Sequence, residues 1–159
     1  MPVERLKRFL EDEGVRYETL QHDQAFTAQE VAASAHLPGK ELAKTVMVKI
    51  DGRMAMVVLP SDDRVDLELV RDAAGADEVE LAAEDEFRKL FPACEPGAMP
   101  PFGNLWDMPV LADSRLAEDD EIAFNAGSHT ELVRLSYRDF ERLVQPRVAH
   151  LSTREGART

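Results

Sequence analysis

The chain has 159 residues, 44% of them hydrophobic, enough for one domain with a real core and too apolar for a disordered one. A formal net charge of −12 argues against broad, sequence-independent nucleic-acid binding, which runs on Lys and Arg contacts to phosphates, but leaves room for a small basic mouth on an acidic body. No apolar run approaches the roughly 20 residues of a membrane span, the N-terminal stretch MPVERLKRFLEDEG lacks a signal peptide's apolar block, and the single cysteine, Cys94, has no partner for an internal disulfide, which fits a reducing cytoplasm.

Residues 3–13 place Val3, Leu6, Phe9 and Leu10 at helical spacing, with Gly14 as a stop. VRYETLQH (15–22) alternates like a short strand, and TAQEVAASAHL opens with a Thr27/Glu30 capping box for a second helix that Pro38-Gly39 ends. Two strands, 43–50 and 53–60, are joined by Asp51-Gly52, the strongest short hairpin signal. VDLELVRDAAGA is a helix stopped by Gly75, EVELA a brief strand, and AEDEFRKLF (83–91) a further helix closed by Pro92. A loop rich in proline and glycine, CEPGAMPPFGNLWDMP, leads to the short strand PVLAD. EIAFNAGSHTELVRLS reads as two strands around 125–128; Ser136 caps a helix, YRDFERLV, with Asp139 at the capping-box position; RVAHLS forms a last strand. Strands and helices mix with at least one antiparallel pair, so the fold class is α/β, or α+β with a mixed sheet.

Chemistry has three candidate seats. The first is Lys44. With period two along the strand it shares a face with Val46, Val48 and Ile50, while Thr45, Met47 and Lys49 share the other. A lysine on an apolar face either snorkels to water or aims its ammonium into a pocket, where it holds a phosphate or a carbonyl oxygen gaining negative charge. The second is GAMPPFG, whose prolines and glycines stiffen a loop and allow close backbone approach; the alternative is a connector with Phe102 and Trp106 packed down as plugs. The third is NAGSHTE (125–131), where Gly127 and Ser128 make a turn able to present N–H groups to an anion and His129 is a candidate general base, or an exposed turn histidine. Four scattered histidines and one cysteine argue against a structural zinc site, and no Walker loop, dinucleotide fingerprint or nucleophile motif is present. The acid runs at 11–13, 84–86 and 118–121 read as solvated faces.

Taken in order, KTVMVKIDGRMAMVVLPSDDRVDLELV, GAMPPFG and AFNAGSHTELVRLSYRDFERLV resemble the YbaK/EbsC family, editing domains related to the insertion domain of bacterial prolyl-tRNA synthetases, from about residue 22 to residue 152. The resemblance implies one such domain over residues 1–159, with a mixed, barrel-like sheet flanked by helices. It implies a cytoplasmic, freestanding deacylase that hydrolyses the ester between a tRNA and a wrong amino acid. No cofactor, metal, membrane or DNA is involved; the partner is the acceptor end of aminoacyl-tRNA, and a synthetase could supply further grip. The family's invariant lysine falls on Lys44, its glycine-containing loop on Gly97–Gly103 and its late glycine turn on Gly127 and Ser128. Lys44 and the N–H groups around Gly103 and Gly127 are then the expected catalytic groups, and Thr45, Met47, Gly97, Met99, Phe102, Ser128 and His129 the expected substrate contacts. GAMPPFG departs from the family's more usual GGxxPxG, and His129 and Thr130 stand where relatives carry other small or basic residues. A non-catalytic module binding a small anionic or aminoacyl ligand, and a structural core with a snorkelling lysine, are the other readings.

Overall fold

A computed structural model describes residues 4–21, 42–91, 94, 98–127 and 131–154. The helix expected at 27–37 lies outside them. Helix α1 (Glu4–Asp12) buries Leu6 and Leu10 and ends at Gly14 in the left-handed region (φ +66°). Strand β1 spans Tyr17–Gln21, β2 Leu42–Ile50 and β3 Arg53–Pro60. Between β2 and β3, Asp51 (φ +50°) and Gly52 (φ +82°) both take positive φ, the mirror-image turn whose twist suits a two-residue hairpin.

Helix α2 (Leu67–Ala74) is capped at both ends: the Asp66 carboxylate accepts from the N–H groups of Glu68 (3.0 Å) and Leu69 (3.2 Å), and Gly75 closes it at φ +65°. The helix expected over 83–91 is shorter. Helix α3 covers Glu84–Phe87, and Arg88–Leu90 tightens into a 3-10 turn, with Phe91 N–H donating to the Arg88 carbonyl. Helix α4 (Tyr137–Val144) starts where Ser136 Oγ accepts from Asp139 N–H at 3.1 Å.

The remaining strands are β4 (Asp63–Val65), β5 (Val79–Leu81), β6 (Val110–Asp113), β7 (Glu121–Asn125), β8 (Glu131–Ser136), β9 (Arg147–Ala149) and β10 (Ser152–Arg154). RVAHLS is therefore two strands rather than one, because its halves find different partners: β9 runs parallel to β6, and β10 runs antiparallel to β4. The main sheet is mixed, in the order β1-β8-β7-β2-β3-β6-β9, with β5 also on β2; β2–β7, β3–β6 and β6–β9 are parallel.

Each sheet face carries its own core. One holds Ala43, Met47, Met56, Val58, Val110, Phe124 and Val133 with Leu6 and Leu10 of α1, Phe140 of α4, and Phe102. The other holds Val48, Ala55, Val57, Leu59 and Leu111 with Val70 of α2 and Leu151. The strict alternation of β2 and β3 between these two lists is the period-two geometry of strands buried on both sides. The acids at 84–86 are not merely solvated: Glu86 binds Lys49 at 2.6 Å and accepts from Ala83 N–H at 2.8 Å, and Glu80 holds Lys49 at 3.1 Å. No helix among the described residues is long and apolar enough to cross a membrane.

Candidate functional site

Lys44 is half-buried, opposite Leu59 of β3. The last parallel pair between β2 and β7 is Ala43 with Phe124, so one residue further on Lys44 lies level with Asn125. The last pair between β3 and β6 is Val58 with Ala112, so Leu59 lies level with Asp113. Asn125 is in turn opposite Leu132, and Asp113 is level with Ala149. Residues level with one another on neighbouring strands share a face. A row therefore runs across the sheet, Leu132–Asn125–Lys44–Leu59–Asp113–Ala149, with three polar residues standing in apolar company. It lies on the face carrying Val48, Leu59 and Leu111.

Other expected site residues stand elsewhere. Met47 is an odd number of residues from Lys44 and faces the opposite core, where it is buried with Met99 and Phe102. Thr45 shares the Met47 face by the same alternation. Phe102 is fully buried, its ring 6.2 Å from that of Phe9, 5.5 Å from Phe124 and 5.8 Å from Phe140. The structure thus sets Lys44 on the opposite sheet face from Met47, Met99 and Phe102. Gly97, Ser128 and His129 lie outside the described residues.

The proline-rich loop and the glycine turn are brought together. Gly127 N–H donates to the Ala98 carbonyl at 2.8 Å, and Ala126 N–H donates to the Glu131 carbonyl at 3.2 Å. Gly127 is buried with φ +107°, a conformation that L side chains rarely adopt. Its N–H, expected to face an oxyanion, is committed to the loop, so the residue ties two segments rather than presenting a donor. Gly103 opens a 3-10 turn, Gly103–Trp106, and its carbonyl accepts from Met108 N–H at 2.9 Å. A Cβ there would sit 2.6 Å from Val110 Cγ2 and 2.8 Å from the Met108 carbonyl oxygen, so glycine is required for close packing.

A second polar assembly had no signature in the sequence. Asp63 and Asp113 are buried, and the Ser152 hydroxyl touches both, at 2.9 Å from Asp63 Oδ2 and in close contact with Asp113 Oδ2. The Arg115 guanidinium pairs with Asp63, and Arg115 N–H donates to Asp113 Oδ1 at 3.1 Å. One hydroxyl carries one proton, so it donates to only one of the two carboxyls. Burial raises the Asp113 carboxyl above its ordinary 3.8, and the neighbouring Asp63 charge adds to this, against Arg115 N–H, which favours the ionised form. The assembly fastens β10 to the ends of β4 and β6, at one end of the Lys44 row. Each member is an ordinary polar residue in its own segment; only the pairing of segments up to 89 residues apart reveals it.

Burial pushes the Cys94 thiol up to about 11, away from the thiolate that nucleophilic attack requires. No group of three or more metal-ligating side chains gathers among the described residues. A cleft of about 330 Å³ lined by Asp51, Arg53, Pro109, Leu111 and Arg147 lies at the hairpin end of β2, roughly 20 Å from Lys44 along the strand, and is separate from the row.

A family model described as an aminoacyl-tRNA editing domain matches residues 22–143. The chain is 29% identical over 152 residues to the multifunctional Ser/Thr-tRNA deacylase ProXp-y of Escherichia coli strain K12, covering 92% of this chain and 90% of that protein. It is 27% identical over 142 residues to the prolyl-tRNA editing protein ProX of Acetoanaerobium sticklandii, covering 86% of each. A proline–tRNA ligase of Bacillus mycoides is 30% identical over 89 residues, which are 56% of this chain and 16% of the ligase. In fold, the crystal structure of the hypothetical protein APE2540 superposes with a TM-score of 0.85 at 23% identity, over 94% of this chain and all of that one.

Proposed function

Because the chain belongs to the family of aminoacyl-tRNA editing domains, we infer that it is a deacylase that hydrolyses the ester of mischarged tRNA in trans. The observation that carries this reading is the extent of the match: nine-tenths of a tRNA deacylase is spanned, against 16% of a ligase. The name of ProXp-y points to serine and threonine as the acyl groups removed. Such proofreading is needed because a synthetase pocket separates near-isosteric amino acids by only about 10- to 200-fold. The partner is the acceptor end of aminoacyl-tRNA, met in the cytoplasm where charging occurs. A footprint limited to that end suits a body with net charge −12.

An aminoacyl ester is already activated, so water suffices as the nucleophile. Water adds to the ester carbonyl, its proton leaves to solvent or a nearby acceptor, and a tetrahedral oxyanion forms. That intermediate collapses as the bond to the ribose oxygen breaks; the ribose oxygen takes up a proton, releasing free amino acid and tRNA. In this reading Lys44, at the β2 end and opposite Leu59, stabilises the oxyanion or holds the terminal phosphate. Gly127 supports this by tying the loop at Ala98 to the end of β7, and Gly103 by packing the loop's other end against Met108 and Val110.

The test is Lys44→Ala assayed on tRNAs individually charged with serine, threonine, alanine and proline. The expected result is a loss of roughly 100- to 1000-fold in rate on the preferred substrate, with an unchanged melting transition. Equal turnover by wild type and variant on every substrate would remove Lys44 from the mechanism; no turnover by wild type would remove the deacylase reading.

A further inference from the structure

We propose that the surface joining α1 to the 3-10 turn Arg88–Leu90 binds phosphates, with Arg5, Arg8, Arg88 and Lys89 holding the RNA backbone behind the acylated end. The proposal rests on the deacylase reading above and assigns where the rest of the acceptor strand is gripped.

Three observations carry it. First, two basic segments far apart in sequence meet on one indole. The Arg5 guanidinium of α1 lies over the half-buried Trp106 ring, 5.6 Å from its centroid, and the buried Phe91 packs against the same indole at 4.8 Å. Phe91 N–H donates to the Arg88 carbonyl at 3.2 Å, so the turn carrying Arg88 and Lys89 stands beside that stack. Second, these cations are exposed and uncommitted. None of Arg5, Arg8, Arg88 and Lys89 is ion-paired among the described residues, whereas Lys49, Arg115, Arg134 and Arg142 each hold a carboxylate. A guanidinium resting on a ring keeps its N–H edges free in a fixed plane, the geometry that takes a phosphate. Third, the surface is continuous with the proline-rich loop. Trp106 ends the 3-10 turn Gly103–Trp106, which packs on Val110; Val110 is level with Met56 and Met47, three residues or about 10 Å along β2 from Lys44. A few nucleotides of strand span that distance and the thickness of the sheet.

The spacing of charge selects the ligand. Arg5 and Arg8, three residues apart on one helix face, line a shallow cleft of about 400 Å³ with Phe9, and Glu4 and Asp12 border it. A single small anion would gain little between those acids. A chain of phosphates meets cations on both segments at once, and release of its counterions adds to each contact. The indole is already taken by Arg5 and Phe91, so the contact is to backbone rather than to stacked bases and does not read sequence. An acidic protein would match the same charges; RNA is the better fit because the neighbouring site acts on an RNA end.

The probe is deacylated tRNA, bound to the full chain and followed by fluorescence anisotropy from about 50 to 200 mM salt. The proteins are wild type, Arg5→Gln/Arg8→Gln, Arg88→Gln/Lys89→Gln and, as an equal change of charge on the other sheet face, Arg53→Gln/Arg71→Gln. KM and kcat on the preferred aminoacyl-tRNA and a thermal melt are taken for each. Each patch pair is expected to raise Kd and KM about 2- to 30-fold, the range for two exposed charge contacts, with kcat retained. The slope of log Kd against log salt should fall by about 1.4–1.8, two contacts' worth, and the Arg53/Arg71 pair should move neither quantity. Arg5→Lys/Arg8→Lys keeps the charges and should restore most of the slope; if the glutamine pair on α1 does not fold, the pair on the exposed turn decides. Slopes equal to wild type in the patch variants, the result an acidic protein partner would give, overturn the surface and leave the deacylase standing. An equal fall in the Arg53/Arg71 pair does the same. A wild type that hydrolyses no aminoacyl-tRNA overturns both.

Discussion

Phe102 offers the sharpest division between a pocket wall and a core plug, and the structure commits to the second. Its ring is fully buried and packs against Phe9 from α1, Phe124 from β7 and Phe140 from α4. Truncation to alanine removes this central contact and leaves a cavity that three rings from separate elements cannot fill together. Phe→Ala at such a site costs about 3–5 kcal/mol. For a chain of this length each kcal/mol lowers the melting temperature by roughly 2–4 °C, so a fall of about 6–20 °C is expected. Phe102→Leu retains most of the volume and should lose less than half as much. The assay is thermal unfolding followed by circular dichroism, paired with KM for aminoacyl-tRNA measured well below the transition. A wall residue would behave the other way, with KM changed and stability kept. A melting temperature within about 3 °C of wild type in Phe102→Ala, together with a raised KM, would refute the packing argument.

Two further outcomes test the frame around the site. Gly103→Ala forces a Cβ to 2.6 Å from Val110 Cγ2 and 2.8 Å from the Met108 carbonyl oxygen; a loss of roughly 1–3 kcal/mol is expected from this overpacking, and urea denaturation with an unshifted midpoint would rule it out. Asp113 has a folded-state pKa raised above 3.8 by burial; its contribution to stability is therefore fully present below that ordinary value and is lost as pH rises through the folded value. Asp113→Asn keeps a donor toward Ser152 without a charge to bury. Denaturation midpoints collected from pH 4 to pH 7 should fall less steeply in the variant than in wild type, and parallel profiles would show that burial does not raise the Asp113 carboxyl on folding.

Local chemistry was legible wherever neighbouring residues decide it. Asp51-Gly52 announces its hairpin because two successive positive φ angles are needed, and Gly75 and Ser136 mark helix ends because caps act within a turn. The oddity of Lys44 was visible from period two alone, and it does share a face with Val46, Val48 and Ile50. That alternation also set Met47 and Lys44 on opposite faces, which counts against Met47 as a wall of a pocket built around Lys44. The break of RVAHLS into two strands and the existence of β4 depend on partners 35 and more residues away, and short strands without a partner carry no signal of their own.

From sequence, then, came the family, the hairpin, the caps and the one lysine out of place, because each depends on a residue and its near neighbours or on an ordered set of motifs. Tertiary structure alone decided that Asn125 and Asp113 stand in the same row as Lys44, that Gly127 gives its N–H to the proline-rich loop, and that Phe102 belongs to the core. Which residues come level across a sheet is set by strand register, and register is fixed by packing both faces at once, a condition no single segment contains.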